Sequence, residues 1–104
     1  MATFHHFGVP TQAQCPKEDY IEGGKVYATS PDDHPYRVEF LRFDADSPMH
    51  ELVRTRPHVA FVVDNLAAAL EGHTVIVEPF DATETLRVAF ITDGEAVIEL
   101  MEVR

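Results

Sequence analysis

Four side chains in this sequence have the types and the matched placement to hold a metal ion. His6 and His58 each enter a short apolar run, and Glu39 and Glu99 each sit between apolar residues in a later one. Imidazole nitrogen and carboxylate oxygen are donors for divalent ions of borderline softness: Zn²⁺, Ni²⁺, Co²⁺, Mn²⁺ or Fe²⁺. The carboxylates cancel the charge of such an ion, and neutral rings complete a four-donor set. An octahedral ion held this way keeps two adjacent positions for water or for neighbouring oxygens of a substrate. As a Lewis acid it stabilises an enediolate or similar oxyanion. Glu39 or Glu99 then serves as general base on the acidified C–H.

The carboxylates carry this reading. By the two-residue period of a strand, Glu99 in EAVIELMEV shares a face with Val97, Met101 and Val103. Glu39 in YRVEFLRFD shares one with Leu41 and Phe43. A carboxylate on an apolar face costs several kcal/mol to desolvate unless a cation or donors compensate. Taken singly, each reads most simply as half of a salt bridge with Arg37, Arg42 or Arg87. As a matched pair beside two matched histidines, metal ligation overtakes that reading.

The histidines divide in the same way. His58, directly after Pro57 and in line with Ala60 and Val62, would alone read as a satisfied core residue. His5 and His6 point to opposite faces of one strand, so at most one looks into a shared cavity. His6 is preferred, because it lies two residues before Gly8, where a missing side chain leaves room beside a site. His5, in line with Phe7 and Val9, reads as packing or capping. His34, His50 and His73 fall in turn-like segments and read as exposed. Cys15, between Gln14 and Pro16, has no neighbouring base. There is no Gly-rich phosphate loop, CxxC pair or GxSxG elbow.

The elements that must position these donors are clearest in the second half. HVAFVV (58–63) reads as a buried strand. Asp64 follows as N-cap, NLAAALE (65–71) as helix, and Gly72 as its left-handed terminus. TVIVEPF (74–80) reads as a strand ended by Pro79. LRVAFITD (86–93) and EAVIELMEV (95–103) form a hairpin around Asp93-Gly94. The first half is a thinner copy of this plan. TFHHFGV (3–9), KVYATS (25–30) and YRVEFLRFD (36–44) read as strands, 10–24 as loop and PDDHP (31–35) as a turn. The connector 45–57 holds one helical turn in MHELV. HHFGV (5–9) thus matches PHVAFVV (57–63), and VEFLRF (38–43) matches IELMEV (98–103). The histidine-to-glutamate separations are 33 and 41 residues, the first half lacking its helix.

With 104 residues, the chain is read as one domain, 1–104, of two half-repeats at about 1–56 and 57–104. A formal net charge of −10 opposes binding to nucleic acid or to anionic lipid. No apolar run is long enough to span a membrane, and the N-terminus lacks the layout of a signal peptide. The lone cysteine cannot form an internal disulfide, so a cytoplasmic setting is expected.

The paired units, with HHFGV, PHVAFVVDNLAAALEG, VEFLRF and VIELME, resemble the vicinal oxygen chelate superfamily of glyoxalases, bleomycin-resistance proteins and extradiol dioxygenases. The resemblance spans nearly the whole chain and is strongest over 57–103. It implies an α+β fold of two βαβββ-type modules, here with the first shortened and without a clear helix. Their sheets would form a metal cup whose ligands, from the first and last strands of each module, are His6, Glu39, His58 and Glu99. The activity implied is that of a metal-dependent lyase or isomerase on a small oxygenated metabolite. The alternative is a protein that sequesters a small molecule without turnover. Ring-cleaving dioxygenase chemistry comes third, since its iron site needs only one carboxylate. The family builds its sites within one chain or across a homodimer. The missing helix, and one strand too few in the first module, would leave surface that a homodimer buries. The shortening also leaves less wall for a bulky substrate such as a glutathione adduct.

Overall fold

The computed structural model describes residues 1–104, and all of its strands belong to one sheet. The strands are β1 (Thr3–Pro10), β2 (Asp19–Ile21), β3 (Val26–Ala28), β4 (Val38–Phe43), β5 (His58–Val62), β6 (Thr74–Thr83), β7 (Leu86–Asp93) and β8 (Ala96–Val103). Two short helices, α1 (Glu51–Thr55) and α2 (Leu66–Leu70), complete an α+β chain that is mostly strand. No helix is long and apolar enough to cross a membrane.

The sheet order is β2-β3-β4-β1-β5-β8-β7-β6. In each half the first strand lies parallel to the last, β1 to β4 and β5 to β8, and the other two follow antiparallel toward the edge. β1 and β5 meet antiparallel at the centre, so one half maps onto the other by an approximate two-fold axis between them. The sheet curls until edge strand β6 nears the 3₁₀ turn Glu22–Gly24. A Cβ on Gly23 would stand 3.3 Å from the Phe80 ring.

Local chemistry explains most element ends. Gly94, with φ of 58°, turns β7 into β8. Gly72, with φ of 79°, follows α2 in the left-handed region as expected. The cap of α2 is Asn65 rather than Asp64, its side chain accepting from the Ala68 N–H at 3.1 Å. Asp64 is exposed instead, 3.6 Å from the N-terminal amine. The helical turn expected in MHELV forms as α1, capped by His50. On the outer face α2 buries Leu66 against Ala89, Ile91 and Leu100. On the inner face Met49, Val53, Ala60, Val88, Phe90, Val97 and Met101 form the main core.

Three further expectations are corrected. The segment 10–24 is not all loop, because Asp19–Ile21 pairs with β3 and gives the first half its fourth strand. Three residues are too few for a two-residue period to register in sequence. No α-helix forms in 10–24, whose one helical element is the 3₁₀ turn Glu22–Gly24. Next, Pro79 does not end β6. It falls in a register break between Val77 and Phe80 on an edge strand, where its missing N–H costs no ladder bond. Finally, β4 begins at Val38 because Arg37 takes the left-handed conformation, with φ of 59°.

Candidate metal centre

The central strands carry the donors in two rows. One row runs Glu39–Gly8–His58 across β4, β1 and β5; the other runs His6–Ala60–Glu99 across β1, β5 and β8. In each row a residue with little or no side chain lies between two donors. Strands stand ~4.8 Å apart, so donors two strands away from each other can converge only by leaning over that middle residue. Gly8 shows how tight the convergence is: a Cβ there would lie 2.2 Å from Cε1 and 2.4 Å from Nε2 of His58. The glycine does leave room beside the site, and the room is taken by the second histidine.

The donor atoms of His6, Glu39, His58 and Glu99 all lie within 4.8 Å of one another. His58 Nε2–H donates to Glu99 Oε1 at 2.9 Å. His6 Nε2 stands 3.2 Å from Glu39 Oε1 and 3.3 Å from Glu99 Oε1, yet it is aligned with neither and is left a buried nitrogen without a hydrogen bond. Donors ~2.1 Å from a common centre would be ~3.0 Å apart when adjacent on an octahedron and ~4.2 Å when opposite. The three closest contacts, at 2.9, 3.2 and 3.3 Å, fall within about 0.3 Å of the adjacent spacing, and the outer limit of 4.8 Å exceeds the opposite spacing by about 0.6 Å, so the four side chains need only a small inward movement to close on an ion. Both histidines are buried, at 1% and 2% exposure, and Glu99 at 8%.

Electrostatics fit the same picture. Burial alone would lower the pKa of His6, but the adjoining Glu39 and Glu99 carboxylates outweigh it and push it up to about 9. Burial alone would raise Glu99, but the bond from His58 and the adjacent His6 ring bring it down to about 2. The cluster therefore holds the Glu99 charge deep in the sheet and keeps a proton on His6. The salt-bridge reading fails on its partners. Arg37 pairs with Asp32 at 2.9 Å, Arg42 with Glu18 at 2.7 Å, and Arg87 approaches only Asp81 at 3.9 Å. Neither Glu39 nor Glu99 meets an arginine.

Sequence reasoning missed His5. A register shift between Phe4 and His6 turns the neighbouring rings edge to face, 5.0 Å apart. His5 Nδ1 then lies 2.7 Å from His6 Nδ1. Burial, followed by the charges of His6 and Arg37, lowers the pKa of His5, which keeps it a neutral acceptor for the His6 Nδ1–H. That bond leaves His6 Nε2 as the atom facing the carboxylates. Arg37 Nε holds this corner by donating to the His5 carbonyl at 2.6 Å. The signal was present in the sequence: a ligating histidine needs an outer partner for its second nitrogen, and its immediate neighbour could supply one. The remaining histidines lie outside the cluster. His50 and His73 are exposed, whereas His34 is half-buried and accepts from the Tyr36 N–H at 3.0 Å.

The donors line a cavity of about 80 Å³ whose other lining side chains are apolar. The set is assembled within a single chain.

No family model matches the sequence, and no curated protein matches it. Among solved structures the chain is similar to the crystal structure of a hypothetical protein from Bacillus halodurans C-125. The TM-score is 0.69 at 15% identity, covering 99% of this chain and 95% of that one. The likeness is one of fold over nearly the whole of both chains.

Proposed function

We propose that this chain is a glyoxalase-like metalloprotein of the vicinal oxygen chelate kind, acting as a lyase or isomerase on a small oxygenated metabolite. One observation carries the reading: four donors from four strands, three of them buried and Glu39 half-buried, lie within 4.8 Å of one another with no arginine to neutralise them. The paired four-strand units around a central two-fold axis support the fold assignment. His6 Nε2, His58 Nε2 and one oxygen each from Glu39 and Glu99 would hold a divalent ion. When bound, the ion would supply Lewis-acid stabilisation to oxygens of the substrate.

The protein side chains divide the remaining work. Glu99 meets both histidines and has a pKa near 2, which makes it an anchor and a poor base. Glu39 touches only His6, and its side chain is the more exposed of the two, at 16% against 10%. On this reading Glu39, rather than Glu99, would take a proton from a substrate carbon and return it. The apolar wall excludes water from that transfer. A homodimer belongs to the same reading, because the first unit has no counterpart of α2 over its outer face; sedimentation tests it.

Elemental analysis of the purified protein tests the centre. About one divalent ion per chain is expected, lost in His58→Ala with the fold retained. Less than one ion per several chains sinks the proposal. Glu39→Gln separates catalysis from binding: it should retain much of the metal and lose turnover, whereas a protein that only sequesters a ligand would bind it as before.

A further inference from the structure

This inference rests on the metal reading above and extends it to the kind of molecule that the site takes. The cavity in front of the donors measures about 80 Å³. A water-sized group needs ~10–15 Å³ on that measure, so the space holds roughly six such groups. Apart from the four donors, its lining is glycine and apolar side chains, with Ile21, Leu41 and Phe43 from the first unit and Val88, Phe90 and Met101 from the second. No lysine, arginine, serine, threonine, asparagine or glutamine reaches it.

Charge points the same way. Two carboxylates and a divalent ion sum to zero, so the loaded site has no surplus positive charge for an anion. The chain as a whole, at −10, repels one. A carboxylate or phosphate pushed against Leu41 or Val88 would lose its hydration with no donor in exchange. A methyl or methylene in the same place would gain from burial.

We propose that the cavity takes a small, uncharged molecule with an apolar body that presents two neighbouring oxygens to the ion, and that it rejects carboxylated or phosphorylated analogues.

The test uses chelators with one common head, each bound as the hydroxamate after release of the same proton, so that head charge and intrinsic affinity for metal cancel and only the tail differs. Purified protein is loaded with Co²⁺, and its visible absorption is titrated with acetohydroxamate, butanohydroxamate and the monohydroxamate of succinic acid. Burial of a methylene contributes ~0.8 kcal/mol, about fourfold in affinity, so butanohydroxamate should bind roughly 15-fold tighter than acetohydroxamate. The succinate derivative should bind at least about tenfold more weakly than butanohydroxamate. Equal or tighter binding of the carboxylate-tailed probe, or no gain from the added methylenes, overturns the inference. Absence of cobalt bands before any hydroxamate is added overturns the metal reading instead, so the two failures are distinct. Ile21→Arg places a guanidinium on the half-buried edge of the wall and should restore binding of the succinate probe; no recovery in a folded variant also counts against the inference. The wild-type series decides the matter by itself if that variant does not fold.

Discussion

Gly8→Ala gives the sharpest test of how the donors are brought together. Gly8 sits in β1 opposite His58, without a positive φ, so alanine suits its backbone. Its new Cβ would lie 2.2, 2.4 and 2.7 Å from Cε1, Nε2 and Nδ1 of the His58 ring. Carbon atoms in contact stand ~3.5 Å apart, so the ring must retreat by about 1.3 Å. Metal–ligand distances tolerate ~0.2 Å. Retreat is opposed by Phe90, which packs edge-on at a centroid distance of 5.2 Å, and by the 2.9 Å bond to Glu99. His58 would be removed from the donor set without being mutated. Zn²⁺ affinity should fall at least about 100-fold, beyond the usual 10–100-fold loss of an outer partner. Stability should change less. Overpacking costs ~1–3 kcal/mol, and replacing glycine in an extended conformation offsets ~0.4–1 kcal/mol. Calorimetric titration of metal-free wild type, Gly8→Ala and His58→Ala with Zn²⁺, with circular dichroism to confirm folding, makes the comparison. A folded Gly8→Ala protein that binds Zn²⁺ within threefold of wild type refutes the idea that this glycine exists to admit the ring.

Other expectations are simpler. His5→Phe keeps a ring but removes the acceptor of the His6 Nδ1–H, so metal affinity should drop ~10–100-fold, and His5→Gln should recover part of it; equal affinities would show that His5 only packs. Ala60, fully buried between His6 and Glu99, should tolerate valine poorly, at a cost of ~1–3 kcal/mol of stability and with loss of metal; denaturant unfolding and Zn²⁺ titration measure the two. In the metal-free protein, His6 is raised from 6.5 to about 9, so its stabilising share is complete below pH 6.5 and is lost as pH climbs through 9. Glu99 is lowered from 4.5 to about 2, so its share is present above pH 4.5 and is lost as pH falls toward 2. Denaturant unfolding in chelator should therefore show a maximum between those limits, and a rise from pH 7 to 9 would contradict the cluster. Metal uptake near pH 7 should release about one proton per ion, since His6 must give up its own; calorimetry in buffers of different ionisation enthalpy counts it. Excess metal at ~100 times its dissociation constant should stabilise the fold by ~2.7 kcal/mol, a rise of roughly 10–20 °C in Tm that chelator reverses.

What the residues settle alone is local. Alternation in YRVEFLRFD and EAVIELMEV places Glu39 and Glu99 on apolar faces, because a strand's side-chain period is two whatever its partners are. Gly94 and Gly72 mark a turn and a helix end, because left-handed backbone favours glycine over residues with a side chain. The matched histidine and glutamate positions suggest two units. Short or non-periodic features stay hidden: Asp19–Ile21 becomes a strand only by pairing with β3, and Pro79 is tolerated only because β6 lies at an edge. The site belongs to the tertiary structure. Register across β4, β1, β5 and β8 sets Gly8 and Ala60 between the donors, and a register shift beside His6 brings His5 onto its second nitrogen. Arg37, Arg42 and Arg87 find other carboxylates, which leaves Glu39 and Glu99 to the histidines. Periodicity within one strand says which way a side chain faces, but the meeting of four side chains depends on hydrogen-bond register and sheet curl between strands far apart in the chain.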